Sequence, residues 1–149
     1  MKMKLFLLPL ILPMMFLTGC GGDDTPSIVK KMSTGEKVEV NEDNIEKYLN
    51  VLLTYKLKED DEGSITKMTF TLSTEGYSSL SYFVSTIDCE IGYTYLGDDG
   101  EMTKATYSIA VNPGKDGKSS KKEDYNCNYR SVSDVSLNKC QCSGFVVKK

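Results

Sequence analysis

Histidine is absent from all 149 residues. No Ser-His or Cys-His pair is therefore available, and the commonest general base is missing. A thiol nucleophile would need some other activator. Tryptophan is absent as well, which removes the Cys-Trp-Cys pattern of antibody-type domains. A membrane-spanning run is also lacking near the start. The uncharged stretch from Leu5 to Leu17 holds thirteen residues, about 20 Å of helix against a hydrocarbon core of ~30 Å. Pro9 and Pro13 weaken any such helix further. Nor is there a basic excess, with 18 Lys and Arg against 21 Asp and Glu. Nucleic acid rewards clustered cations, so it is not an expected partner.

What is present begins at the first residue. Met1-Lys2-Met3-Lys4 is a short basic start, followed by the apolar run and then Leu17-Thr18-Gly19-Cys20. Basic start, apolar stretch and small residues at the cut describe a secretory signal. Leu17-Thr18-Gly19-Cys20 resembles the lipobox of bacterial lipoproteins. The resemblance implies diacylglycerol on the Cys20 sulfur and cleavage before it by signal peptidase II. Residues 1–19 are then the signal peptide, and Cys20 is the acylated (palmitate-bearing) first residue of a mature chain of 130 residues, the size of one domain. That chain would carry 16 basic against 21 acidic side chains, so lipid rather than overall charge must hold it. The expected location is extracytoplasmic, at the cell membrane, or at the outer membrane of a Gram-negative cell. Gly21 in place of Asp after the cysteine resembles lipoproteins not retained at an inner membrane.

Residues 20–36, small and polar, read as a flexible tether, and 37–149 as the domain. Asn41 to Leu49 reads as one short helix, with Asn41 as its cap and Ile45, Tyr48 and Leu49 on one face. The period then changes to two. Val51, Leu53, Tyr55 and Leu57 form one apolar face; Met68, Phe70 and Leu72 a second; Cys89, Ile91, Tyr93 and Tyr95 a third. Thr103, Ala105, Tyr107, Ile109 and Val111 form a fourth. Such alternation marks half-buried strands. Ser79 to Ile87 and the tail from Tyr125 to Val147 read as further strands. Asp60-Asp61-Glu62-Gly63, Gly97-Asp98-Asp99-Gly100 and Asn112-Pro113-Gly114 carry turn chemistry. The expected fold is all-β: an antiparallel β-sandwich with one short N-terminal helix. The opening from Asn41 to Val51 resembles that of small immunoglobulin-like domains in Firmicute surface proteins, which implies the same architecture.

Five cysteines occur. Setting Cys20 aside leaves four, an even number suited to disulfides outside the cytoplasm. Cys127 with Cys140, closing a hairpin, and Cys89 with Cys142, tying distant strands, is the expected pairing. Zinc is disfavoured, since Cys140-Gln141-Cys142 has a one-residue spacing and histidine is absent.

Little else carries chemistry. Ser-x-x-Lys occurs at Ser64, Ser119 and Ser136, but offset-three side chains on a strand face opposite ways. Gly117-Lys118-Ser119 lacks the first glycine of a P-loop, and Gly114 to Glu123 reads as a solvated, mobile basic loop. Asp98, Asp99 and Glu101 are weak calcium candidates, because hard cations want converging oxygens. Seven tyrosines, from Tyr77 to Tyr129, could form a sugar- or peptide-binding face, or simply fill strands. No cofactor is expected. The expected role is non-catalytic: a lipid-anchored cell-envelope domain for binding or structural display, whose ligand is an unspecified protein or glycan. The alternatives are a small carboxylate-based hydrolase and an accessory subunit of a membrane transporter or envelope machine.

Overall fold

A computed structural model describes residues 25–149. The expected signal peptide and Cys20 lie outside the described residues. The elements run in the order α1 (Ser27–Lys30), β1 (Lys37–Val40), α2 (Ile45–Tyr48), β2 (Leu49–Glu59), β3 (Ile65–Gly76), β4 (Leu80–Val84), β5 (Ile87–Leu96), β6 (Met102–Val111), β7 (Ser119–Tyr129), β8 (Ser131–Gln141) and β9 (Gly144–Lys148). The strands form three antiparallel sheets of three: a front sheet β2-β3-β7, a back sheet β6-β5-β8 and a small sheet β1-β9-β4. The fold is all-β and sandwich-like, as the alternating sequence requires.

The alternation places the core. Met68, Phe70 and Leu72 of β3 are fully buried, and Ile91 of β5 and Ile109 of β6 lie beneath them at 0–2% exposure. Phe70 stacks on Tyr107 across the two sheets, with centroids 5.2 Å apart. The hairpin turns fall where the acidic and glycine residues sit. Asp60 Oδ1 accepts from the backbone N–H of Glu62 and Ser64, each at 2.9 Å. Asp99 Oδ1 accepts from Glu101 N–H at 3.0 Å. These side chains imitate a backbone turn, which is why Asp is favoured there.

Strand direction gives the sandwich two ends. Ile65 pairs with Tyr129 while Thr74 pairs with Ser119, and Arg130 N–H donates to Leu96 O at 2.8 Å. So the turns at 59–64 and 97–101 share one end. The small sheet attaches at the other, where Tyr82 N–H donates to Lys115 O. The twelve residues of β3 separate the two ends by roughly 36 Å at ~3.3 Å per residue.

Three sequence expectations need correction. The tether expected over 20–36 is packed structure for much of its length. Residues 27–30 form α1, with Val29 and Met32 in the core at 0% and 8% exposure. Lys148 Nζ donates to Val29 O at 3.0 Å and holds that turn against β9. The apolar pair Val29 and Met32, spaced by three, is a helical signal too short to stand out in a polar stretch. Next, the single expected helix is one of two helical turns, and α2 starts at Ile45 with no side-chain cap. Asn41 instead closes a turn: its Oδ1 accepts from Asp43 N–H, and its own N–H donates to Asn44 Oδ1.

The expected mobile loop at Gly114 to Glu123 is strand over its second half, since β7 begins at Ser119. Its remaining turn is clamped by glycine. Gly117 takes φ +75° and lies against Gly76 Cα, and a methyl on Gly76 would collide with the Asp116 carbonyl and the Tyr82 ring. This close approach fixes Lys115 and Lys118 beside the small sheet.

Candidate functional site

The cysteines are the first candidates. Cys89 and Cys140 are direct partners across β5 and β8, with Cα atoms 4.0 Å apart, and form the disulfide. This corrects the expected pairing. Cys127 lies toward the acidic-turn end, where its Sγ donates to Ile65 O at 3.5 Å. Its neighbour Tyr129 packs on Tyr93. Cys89 and Cys140 lie four residues back along β5, roughly 13 Å away by strand rise alone, whereas a bridge needs Cα atoms within ~7 Å. Cys127 and Cys142 are free thiols, half-buried. Burial pushes both thiols up from their ordinary value, so both are protonated at neutral pH and poor as nucleophiles.

The tyrosines are the second. They point between the sheets, not onto an outer face. Tyr93 is 5% exposed, and Tyr95, Tyr107, Tyr125 and Tyr129 are half-buried around it. Tyr95 stacks on Tyr129 at 4.0 Å, and Tyr107 meets Tyr125 edge-on at 5.5 Å. Tyr107 Oη donates to Glu123 Oε2 at 2.7 Å. That bond, followed by burial, pushes the Tyr107 phenol up to about 12. The Tyr129 phenol is pushed up by burial and by its bonds to Tyr125 and Tyr93. Burial also raises Tyr93. The raised phenols of Tyr93, Tyr107 and Tyr129 are neutral at physiological pH, and the cluster is packing in which the Tyr107, Tyr125 and Tyr129 hydroxyls have partners.

Tyr82 belongs to the other end. Its Oη donates to Tyr48 O at 2.6 Å and accepts from Tyr77 N–H at 2.8 Å. Burial raises it to about 12. It ties the small sheet to α2 and to the turn after β3.

The acidic turns are the third. Asp98 Oδ2 accepts from Asn128 Nδ2 at 3.1 Å, and Arg130 donates to the Asp98 carbonyl at 3.0 Å. Asp99 is spent on its own turn. Among the described residues no three acidic or cysteine side chains converge as a metal site, so Asp98, Asp99 and Glu101 are not brought together. Of the Ser-x-x-Lys candidates, Lys67 pairs instead with Asp124 at 3.7 Å.

One surface stands out that sequence patterning missed. Phe83 of β4 is 46% exposed and stacks on Phe145 of β9 with centroids 4.9 Å apart. Lys37 Nζ sits 3.9 Å over the Phe145 ring, and Lys115 Nζ lies 5.7 Å from the Phe83 ring. Four side chains from three strands and one turn thus form a row: lysine, phenylalanine, phenylalanine, lysine. The inward residues of the same strands, Val40, Leu80, Tyr82 and Val146, are buried. The signal in the sequence was faint: Phe83 and Phe145 lie 62 positions apart in poorly patterned segments. Beside this sheet, a crevice of about 440 Å³ is lined by Thr25, Glu75, Tyr77, Asp116, Lys118 and Lys149, among others. Thr25 enters the described structure there.

Among the described residues, no helix is long and apolar enough to cross a membrane. No protein-family model, curated protein or solved structure matches this chain.

Proposed function

We propose that this chain is a lipid-anchored lipoprotein of the bacterial cell envelope, and that its β-domain works by non-catalytic binding or structural display. The observation that carries the reading is Leu17-Thr18-Gly19-Cys20 behind a basic start and an uncharged apolar run. Acyl chains on Cys20 hold the protein at the membrane, since two or more chains give anchoring that one does not. The half-buried thiols of Cys127 and Cys142 are raised by burial and offer no ready nucleophile, which is consistent with a binding role.

The test is direct. Cys20→Ala is expected to abolish palmitate labelling and to move the protein from the membrane to the soluble fraction. A variant that still labels and stays with membranes overturns the anchor.

A further inference from the structure

We propose that the outer face of the small sheet is a second, reversible membrane contact: it lies on anionic phospholipid, with Phe83 and Phe145 at the headgroup boundary and Lys37 and Lys115 on the phosphates. This rests on the Cys20 anchor proposed above.

Chain length sets the first constraint. Five peptide steps separate Cys20 from Thr25, at most about 18 Å of extended chain. The packed α1 turn shortens the tether to that much. The domain is therefore held close to the bilayer by the end that Thr25 enters, and the small sheet is built at that end.

Charge is the second. Segments 25–40, 75–86, 114–118 and 144–149, which make up the small sheet and its surround, carry seven lysines against four acidic residues, and the link from Cys20 adds Asp23 and Asp24. The rest of the described chain carries nine basic against fifteen acidic residues. The turns at 59–63 and 97–101, at the opposite end, hold seven acidic residues and no basic one. A domain polarised this way orients against a negative surface, lysines first.

Side-chain chemistry is the third. An aromatic pair, exposed at Phe83 and half-buried at Phe145, flanked by cations is matched to the interface, where rings pack at the acyl boundary and lysines reach outward to phosphate. Within the domain, Phe83 leaves nearly half of its surface in water. Each lysine near an anionic surface contributes about five-fold in the docked-to-undocked ratio (~1 kcal/mol).

The experiment uses the full acylated chain in vesicles of phosphatidylglycerol or of phosphatidylcholine. With no native tryptophan, Phe83→Trp introduces a single indole at an exposed site. Its emission is expected to shift to the blue and to be quenched by bromine-labelled lipid in phosphatidylglycerol, but not in phosphatidylcholine or at high salt. Lys37→Gln with Lys115→Gln is expected to lower the docked-to-undocked ratio roughly 25-fold. The same pair of changes at Lys58 and Lys104, on the other sheets, should leave it near the unsubstituted value. An unsubstituted chain gives an independent reading: amine-reactive labelling of Lys37 and Lys115 should fall on phosphatidylglycerol while Lys104 stays reactive. If the protein floats with vesicles yet the indole is unquenched and both lysines label freely, the anchor stands and this contact is overturned. The contact is equally overturned if a protein, rather than lipid, protects the face. If the chain carries no lipid and does not float, the anchor itself fails.

Discussion

Where the chain enters, the space between the sheets is filled by Leu72, Leu80, Ile87, Val111 and Val146, all at 0–3% exposure. Toward the acidic turns the same space is filled by tyrosines, most of them half-buried. The first region packs branched aliphatic chains and a disulfide. The second packs rings whose hydroxyls bond to one another and to Glu123. Aliphatic burial gains stability roughly in proportion to area and leaves no polar group to satisfy. A tyrosine core keeps one edge of each ring wet or bonded. The entry end is therefore held mainly by buried apolar area, and the tyrosine end by stacked rings with bonded hydroxyls. The surface repeats the contrast: lysine-rich at entry, acidic at the far end.

Ile87→Ala, which empties a fully buried site in the aliphatic region, is expected to cost about 2–5 kcal/mol in chemical denaturation. A loss below about 1 kcal/mol would mean the region is not close-packed. Next comes the Cys89–Cys140 bridge, which closes a loop with a sequence separation of 51. Cys89→Ala with Cys140→Ala should cost about 2–4 kcal/mol. Neither Cys127→Ala nor Cys142→Ala should have a comparable effect, and a reduction-sensitive bridge at either would contradict the pairing.

Two tyrosines sharpen the contrast further. Tyr82→Phe leaves a buried carbonyl and an N–H without their partner, an expected loss of about 1–3 kcal/mol. Tyr125→Phe removes only a 3.4 Å hydroxyl contact at the half-buried end, with an expected loss under about 1 kcal/mol. Equal losses would erase the distinction.

Alkaline titration checks both ends at once. The Tyr82 and Tyr107 phenols stand near 12 in the folded state against an ordinary value of 10.0. Raised values favour the neutral form in the fold, so their contribution is whole below about pH 10 and is lost as pH climbs toward 12. Melting temperature should fall across that window, and the double Tyr→Phe variant should fall less steeply. The smallest effect is expected at the acidic turns: millimolar calcium should leave the melting temperature unchanged, because Asp98 and Asp99 are committed to Asn128 and the turn backbone. A rise of several degrees would restore the calcium reading.

The strands were legible wherever one face is buried and the other wet. In β3 and β5 the residues predicted to face inward are those that do, and in β6 Ala105, Tyr107, Ile109 and Val111 do while Thr103, at the sheet's end, is exposed. Turn positions were legible from Asp and Gly. The Phe83 and Phe145 row was not, because stacking across β4 and β9 depends on which strands become neighbours. Local sequence carries a side chain's face but not the identity of its cross-strand partner.

By itself, then, the sequence determined an all-β chain, the faces of its long strands and the places where they turn, since alternation and turn propensity act over a few residues. Only the tertiary structure decided that Cys89 meets Cys140, that residues 27–32 pack onto the domain, and that lysines and phenylalanines from β1, β4, β9 and the turn before β7 share one surface. Each of those depends on register between segments tens of residues apart. Burial of the whole core sets that register, and no local pattern does.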